Sequence, residues 1–272
     1  MTPLDNGNPF KSRLRSGSDP LYGLWLCLGD PTTAEICAGA GFDFLVVDAE
    51  HGPNDLRSTR AILQVLAAYG SHPVVRLPVG EPWMLKQYLD IGVRTVLIPM
   101  VDTPEQAAAL AAAVRYPPDG IRGLASPVVR ASGYDRRPDY VHRANDETCL
   151  LVQIETAEGL SNLDAIAAVP GIDGLFVGPA DLSASLGHTG NPSAPPAMAA
   201  IEDALARITA CGKPAGIIWG DDALIRRAVE LGARYIATGT DVGLLSRGAD
   251  ALAARYRLPV ARVAETGGPT VY

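Results

Sequence analysis

The chain has 272 residues, of which 47% are hydrophobic and 19% charged, with 23 basic and 30 acidic side chains. This length is typical of a single α/β barrel. The net charge of −7 and the lack of a basic run disfavour a nucleic-acid surface. No apolar stretch reaches membrane-spanning length and the N-terminus lacks a signal-peptide core, so we expect no membrane partner. Four scattered cysteines without CxxC spacing predict reduced thiols in a cytoplasmic protein.

From residue 20 onward, short apolar runs alternate with amphipathic stretches of helical period. The predicted strands are residues 23–28, 44–47, 74–77, 95–98, 149–154, 174–177, 215–218 and 235–237. The predicted helices are residues 33–40, 56–69, 81–91, 104–114, 160–168, 197–211, 222–231 and 244–257. Eight strands alternating with eight helices predict an α/β fold, a (β/α)8 TIM barrel in one domain. An open doubly wound sheet is the alternative, but no GxGxxG follows the first strand.

The barrel is predicted to span residues 21–258, between an N-terminal arm of residues 1–20 and a C-terminal tail of residues 259–272. One segment, residues 116–146, interrupts the alternation and is predicted as a long loop. Loops of this length in a compact domain are usually functional or form an interface.

Polar side chains cluster where predicted strands end, which is where barrels carry their active sites. Asp48, Glu50 and His51 follow the second strand, and Arg76 closes the third. The fifth strand ends in Gln153 and Glu155, and residues 178–181 (Gly-Pro-Ala-Asp) follow the sixth. Buried carboxylates beside an imidazole cost free energy unless they pair, bind metal or take part in chemistry. The sequence therefore predicts one polar site at this rim.

Glu155 and Asp181, on adjacent strands without a nearby cysteine, predict a hard oxygen site for Mg²⁺ or Mn²⁺. The alternative is that each carboxylate is a surface ion-pair partner. Arg76 has a planar fork that fits a carboxylate or a polarised carbonyl, or it is a structural ion-pair partner. His51 is either a general base or a satisfied buried histidine. Gly178 would let backbone N–H groups approach an anion.

The sequence resembles one known family, the HpcH/HpaI class II pyruvate aldolases, in several motifs that are spread from about residue 10 to residue 256. They include Asp-Ala-Glu-His-Gly-Pro at 48–53, Arg-Tyr-Pro-Pro-Asp-Gly-Ile-Arg-Gly at 115–123, Gln-Ile-Glu-Thr at 153–156 and Gly-Pro-Ala-Asp-Leu-Ser at 178–183. The last two motifs together are highly specific. The resemblance implies a TIM barrel of the pyruvate-binding type that cleaves 4-hydroxy-2-oxo acids to pyruvate and an aldehyde, and runs the reverse addition.

The resemblance also implies roles for individual residues. Glu155 and Asp181 would bind the divalent metal, Mg²⁺, Mn²⁺ or Co²⁺, which chelates pyruvate. Arg76 would bind the keto oxygen and stabilise the enolate, while His51 would belong to the acid/base relay. The remaining implied residues are Asp48 and Asp90 as carboxylates that hold His51, and Gln153, Trp25 and the backbone amides of Gly178, Pro179, Ala180 and Asp181 as substrate contacts. A homo-hexamer, a trimer of dimers with the C-terminal helix exchanged between subunits, is implied as well.

Cleavage leaves an enolate, whose charge requires a Lewis acid or a Schiff base. None of the three lysines closes a predicted strand at the rim, which favours the metal route. Alternatives are an oxaloacetate decarboxylase with the same metal–enolate site, a non-catalytic metabolite-binding barrel and a phosphate-binding isomerase. Acids after the seventh and eighth strands disfavour the last of these. Departures from the family pattern, at residues 29–33, in the long loop and at Trp219, leave the aldehyde partner open.

Overall fold

The structure, a computed structural model, describes residues 7–17 and 19–256. Eight parallel strands close into a barrel in sequence order, with the last strand paired to the first. They are β1 (Leu21–Leu26), β2 (Phe44–Asp48), β3 (His72–Arg76), β4 (Thr95–Ile98), β5 (Cys149–Ile154), β6 (Gly174–Val177), β7 (Ala215–Ile218) and β8 (Ala233–Thr240). The predicted TIM barrel is therefore confirmed, while the predicted tail of residues 259–272 lies outside the described residues.

Helices follow the strands and cover the outside of the barrel. They are α1 (Pro9–Ser16), α2 (Pro31–Ala38), α3 (Leu56–Leu66), α4 (Pro82–Asp90), α5 (Pro104–Ala113), α6 (Tyr140–Glu147), α7 (Ala157–Ser161), α8 (Leu163–Ala168), α9 (Pro179–Ser185), α10 (Pro195–Ala210), α11 (Asp222–Glu230) and α12 (Asp241–Arg255). None of these described helices is long and apolar enough to cross a membrane.

Several predicted helix boundaries differ from those in the structure, and two of the differences have a clear local cause. The helix predicted for residues 160–168 is divided at Asn162, whose side chain donates to the Asp102 carbonyl at 2.8 Å. The last helix begins three residues before the predicted start, because the Thr240 hydroxyl accepts from the Gly243 amide at 2.9 Å and caps it.

The segment predicted as a long loop contains α6 and two 3-10 turns, Ser126–Val128 and Arg130–Ser132. Arg122 fixes its first part, since the guanidinium lies 4.3 Å from the Tyr116 ring centroid and 2.8 Å from Asp90 Oδ1. The segment is therefore bound to the end of α4.

The inside of the barrel is a packed core that α1 closes at the amino ends of the strands. Phe10 of α1 is buried among the aromatic rings of this core and stacks on His72, with ring centroids 5.2 Å apart. The side chains that face inward alternate along each strand. That alternation carries the last inward positions, Asp48, Arg76 and Gln153, to the carboxyl end of the barrel.

Candidate active site

Asp48 and Arg76 form a buried ion pair at the carboxyl end of the barrel. Strand register makes them partners across β2 and β3, so their side chains emerge side by side. Arg76 donates from Nε to Asp48 Oδ1 at 2.9 Å and from Nη2 to Oδ2 at 2.7 Å. This two-bond geometry fixes the plane of the guanidinium.

Glu50 and Trp25 hold the same guanidinium from two further sides. Glu50 Oε2 lies 2.8 Å from Arg76 Nη1, and the Trp25 ring centroid lies 4.8 Å from Arg76 Cζ. Each terminal nitrogen of Arg76 keeps one N–H beyond these contacts, and Arg76 lines a cavity. Arg76 is thus oriented as a fixed donor pair toward that cavity.

The ion pair stays charged because each partner stabilises the other. Burial alone would raise the pKa of Asp48, but the hydrogen bonds and charge of Arg76 outweigh it and hold that pKa below its ordinary value. Burial raises the pKa of Glu50 above its ordinary value, and the charge of Arg76 offsets only part of this rise. Burial, together with Asp48 and Asp241, raises the pKa of the neighbouring Cys27 thiol to about 12, so that cysteine is a protonated thiol.

Glu155 is a carboxylate buried at the end of β5, with only 2% of its surface exposed. Its Oε1 accepts the Met100 amide at 2.8 Å, and its Oε2 accepts Gln153 Nε2 at 2.8 Å. Met100 has a φ of 53°, a left-handed conformation that a residue with a side chain adopts at a cost and that directs this amide at Glu155. Burial raises the pKa of Glu155 to about 7, and the charges of Glu50 and Asp181 add to this rise.

Gly178 provides the space that Glu155 occupies. A Cβ at residue 178 would overlap the Glu155 side chain, including its Oε2 atom. The glycine in the Gly-Pro-Ala-Asp motif therefore allows the Glu155 side chain, at the end of β5, to pack directly against the backbone of residue 178, at the end of β6.

These groups share one cavity of about 570 Å³ at the carboxyl end of the barrel. The ends of β1, β2, β3, β5 and β6 and the turns after them contribute Trp25, Cys27, Asp48, His51, Arg76, Gln153, Glu155 and Gly178 to Asp181. The ends of β7 and β8 and the helix α12 contribute Ile218, Trp219, Thr240, Val242, Gly243, Ser246, Arg247 and Asp250. The structure thus brings together nearly every residue that the sequence predicted for the site.

Asp90 is the exception, because within this chain it lies away from the cavity, and its support of His51 stays a prediction. It ends α4, from which the chain returns to the amino end of β4, and it pairs with Arg122. Asp48 contacts His51 only through the backbone, since its Oδ1 accepts the His51 amide at 3.3 Å. The carboxylate that faces the imidazole is Glu50, whose Oε2 lies 4.0 Å from His51 Nε2. The alternative of a buried histidine does not hold within this chain, because the His51 side chain is 63% exposed.

The turn after β6 differs in detail from the predicted anion cradle. The Gly178 amide donates to the Ile154 carbonyl at 3.2 Å, so it is committed within the barrel. Pro179 has no amide hydrogen. The amides left for an anion in this turn are those of Ala180 and Asp181, both in the first turn of α9.

Asp241 is a buried residue with a structural role, although from the sequence it was only one of the acids that disfavour a phosphate site after the eighth strand. It is 3% exposed, and it accepts the Cys27 amide at 2.8 Å and the Leu28 amide at 3.1 Å. These bonds fasten the first turn of α12 to the end of β1, which places α12 beside the cavity. Nothing local in the sequence indicates this contact, because its partners are more than 210 residues apart.

The donor set fits a hard divalent cation. Glu155 and Asp181 supply carboxylate oxygens, and Gln153 Oε1 is a buried oxygen with no hydrogen-bond partner in the same cavity. In the described parts of the chain, no three His, Cys, Asp or Glu side chains form a complete metal site. A cation held by these residues would therefore keep positions open for water and substrate oxygens.

Comparison with known proteins agrees with this geometry. The family model HpcH/HpaI aldolase/citrate lyase matches residues 21–248. The chain belongs to this family. It is 60% identical to the hydroxypyruvate/pyruvate aldolase of Deinococcus radiodurans, over 94% of this chain and 92% of that protein. It is 52% identical to the 4-hydroxy-2-oxo-heptane-1,7-dioate aldolase of Salmonella dublin, over 92% and 94%.

The HpcH/HpaI fold is shared with solved structures. A family protein from Burkholderia cenocepacia superposes with a TM-score of 0.89 at 44% identity, and the match covers 92% of this chain and 99% of that one. The family, the barrel and the aldolase class predicted from the sequence are therefore confirmed.

Proposed function

We propose that this chain cleaves 4-hydroxy-2-oxo acids to pyruvate and an aldehyde, and catalyses the reverse aldol addition, in the cavity described above. The observation that carries the proposal is the meeting of a fixed arginine donor pair with the carboxylates Glu155 and Asp181 in one cavity. Relatives at 52% and 60% identity, both named as aldolases of 2-oxo acids, support it.

The family is metal-dependent, and we infer that Glu155 and Asp181 hold Mg²⁺, Mn²⁺ or Co²⁺. When bound there, the cation supplies Lewis-acid stabilisation for the enolate charge that C3–C4 cleavage leaves. The raised pKa of Glu155 supports this inference, since a nearby cation would restore the charged carboxylate that burial disfavours.

Arg76 performs the second part of the charge stabilisation. Its two remaining N–H groups donate to the keto oxygen, where negative charge develops, while Asp48 and Glu50 keep the guanidinium from turning away. Trp25 covers one face of the guanidinium and excludes water from it. The substrate carboxylate is held by the amides of Ala180 and Asp181.

His51 moves protons at the mouth of the site. Its side chain is exposed, lines the cavity and lies 4.0 Å from Glu50 Oε2. In the cleavage direction it accepts the C4 hydroxyl proton, and it returns a proton to the pyruvate methyl carbon.

The proposal is tested by measuring pyruvate release from chelator-stripped protein before and after Mg²⁺, Mn²⁺ or Co²⁺ is added back. The substrates are 4-hydroxy-2-oxo acids with aliphatic, dicarboxylic and polyhydroxylated tails, with oxaloacetate as the test of decarboxylation. We expect release to depend on added metal and to be faster with the hydroxy-oxo acids. Full activity after chelation, or turnover of oxaloacetate alone, would contradict the proposal.

Metal affinity is expected to rise with pH up to about pH 7. The pKa of Glu155 is raised to about 7, so below that pH a cation must displace a proton. Loss of one proton corresponds to a roughly tenfold gain in affinity per pH unit between about pH 5 and pH 7. Titration calorimetry with Mn²⁺ in buffers of different ionisation enthalpy should detect about one proton released at pH 6 and almost none at pH 8.5. No proton release at pH 6 would show that Glu155 is already ionised without metal.

We further propose that the protein assembles as a homo-hexamer through α12. Three leucines of this helix, Leu244, Leu245 and Leu252, are each more than half exposed. Of the residues of α12, all of which the structure describes, only Asp241 is buried. An apolar helix face of this kind is typical of a subunit interface. Leu245→Glu is expected to reduce the molar mass measured by light scattering, whereas Val128→Glu, at an exposed position of the long loop, should not. A wild-type monomer, or an unchanged mass for Leu245→Glu, would contradict this proposal.

A further inference from the structure

A groove of about 410 Å³ lies at the amino end of the barrel, opposite the active-site cavity. It is lined by the end of α1 and by the turns before β6, β7 and β8, and its charged residues are Arg15, Asp173, Lys213 and Arg234. None of its lining residues belongs to the active-site cavity. The proposed aldolase chemistry therefore gives no account of this groove.

Positive charge exceeds negative charge in the groove. Asp173 accepts Arg15 Nη2 at 2.9 Å and lies 3.2 Å from Nζ of the buried Lys11, so two cations already share its carboxylate. Arg234 donates to the backbone carbonyl of the residue after α1 and has a further interaction. Even when Asp19, which follows the end of α1, is counted with Asp173, the groove and its border hold two more cations than carboxylates. A groove with this balance attracts anions, although the net charge of the chain is −7.

Lys213 is a cation of this groove that forms no ion pair with any described residue. Its Nζ donates to the Ile172 carbonyl at 2.7 Å, and an ammonium group has two further N–H donors. Burial lowers the pKa of Lys213, the charge of Asp173 offsets only part of this effect, and the charge of Arg15 adds to it. An anion bound beside Lys213 would supply the missing negative charge.

Arg15 and Lys213 converge on one turn, although they are distant in sequence. Arg15 pairs with Asp173 and Lys213 donates to the carbonyl of Ile172, and these two partners are adjacent residues before β6. Arg234 adds positive charge from the start of β8. A phosphate group carries about two negative charges at neutral pH on oxygens around a single atom, so it can accept donors from several directions at once.

We propose that this groove binds a phosphate group, either free phosphate or the phosphate of a small metabolite, with Lys213 as its main ligand and Arg15 as a second cation. The site is separate from the proposed active site and needs no metal. The alternative is that Lys213 only neutralises the carbonyl end of α10, which it follows by three residues.

Lysine acetylation tests the site directly, because the chain has only three lysines and each can be identified by peptide mass spectrometry. The wild-type protein is treated with an acetylating reagent at constant ionic strength, with and without inorganic phosphate. At ten times its dissociation constant, phosphate should slow acetylation of Lys213 about tenfold. Acetylation of Lys86, which is exposed on α4, should keep its rate and serves as the internal control.

Calorimetry with inorganic phosphate then compares variants. Lys213→Gln should weaken the binding about 10- to 100-fold, the effect of losing a charge-assisted hydrogen bond. Lys213→Arg keeps the charge and should keep most of the affinity. Lys86→Gln makes the same chemical change as Lys213→Gln on an exposed helix face, so it is the matched control and should leave the affinity unchanged.

Acetylation of Lys213 that phosphate does not slow would overturn the proposal, and so would equal phosphate affinity in Lys213→Gln and wild type. A lower melting temperature of Lys213→Gln with unchanged phosphate affinity would show that Lys213 only stabilises the end of α10. Succinate that protects Lys213 as well as phosphate does would overturn the choice of phosphate. Glycerol 3-phosphate distinguishes the two sources, since tighter binding of this ester supports a metabolite and tighter binding of inorganic phosphate supports the free ion.

Discussion

Glu155→Gln is expected to abolish tight divalent-cation binding and to lower kcat/KM by at least about 10³-fold, while the barrel stays folded. Glutamine has nearly the same shape, and its carbonyl oxygen can still accept the Met100 amide that Glu155 Oε1 accepts at 2.8 Å. What is lost is the negative charge that would pair with the cation. Calorimetry with Mn²⁺ and pyruvate release with added metal measure the two effects.

The same substitution should stabilise the metal-free protein at high pH. The pKa of Glu155 is raised from 4.5 to about 7 in the folded state, so the fold prefers the protonated form. Ionisation therefore costs stability as pH rises from about 4.5 to 7, by at most about 3 kcal/mol above pH 7. Glutamine removes this cost, so metal-free Glu155→Gln should melt higher than wild type at pH 8, with little difference at pH 4.5.

Two variants make the Glu155 prediction specific. Glu202→Gln makes the same chemical change on the outer surface, where Glu202 pairs with Arg227, and should leave metal binding intact. Gly178→Ala keeps both carboxylates proposed as metal ligands but pushes Glu155 out of place, so it should weaken metal binding as well. Metal affinity and activity close to wild type in Glu155→Gln would show that the cation is held elsewhere.

Local patterns were enough to predict the barrel. Several strands are short apolar runs buried on both faces, such as residues 44–47, 95–98 and 149–154, and amphipathic stretches alternate with them. Each of these patterns can be recognised within a short stretch of sequence, without knowledge of distant contacts. The predicted rim was also correct because the carboxyl ends of parallel strands must meet, which brought Asp48, Arg76, Gln153 and Glu155 together.

The pairing of individual site residues could not be predicted, because it depends on register and on contacts distant in sequence. Asp48 belongs with Arg76 because of the β2–β3 register, and this leaves Glu50 to face His51. Asp90 does not join the cavity within this chain because it ends α4, and the end of that helix lies at the amino end of the barrel. The position of α12 depends on Asp241 and its partners on β1, a contact that no local pattern records.

Arg76→Lys is a more informative test of the role proposed for Arg76 than complete removal of the side chain. Removing the side chain altogether would leave Asp48 and Glu50 buried without their cation, which typically costs about 3–5 kcal/mol of stability. Lysine keeps the positive charge, so the fold should survive. Its single ammonium group cannot reproduce the two bonds to Asp48, the contact with Glu50 and the two donors toward the substrate.

We expect Arg76→Lys to lower kcat by about 10²- to 10³-fold, the scale of losing an oxyanion donor, with a much smaller change in KM for the aldehyde. The reason is that, in the proposed mechanism, the donors act on the keto oxygen, whose charge grows in the transition state, and not on the aldehyde. Proton exchange at the pyruvate methyl group should slow by a similar factor, because it passes through the same enolate. Glu50→Gln is the matched control, since it removes one neighbour of Arg76 but keeps the two bonds to Asp48, and it should cost about tenfold or less. If Arg76→Lys instead raised only the KM for the aldehyde and left proton exchange unchanged, Arg76 would bind the aldehyde and the enolate charge would rest on other groups.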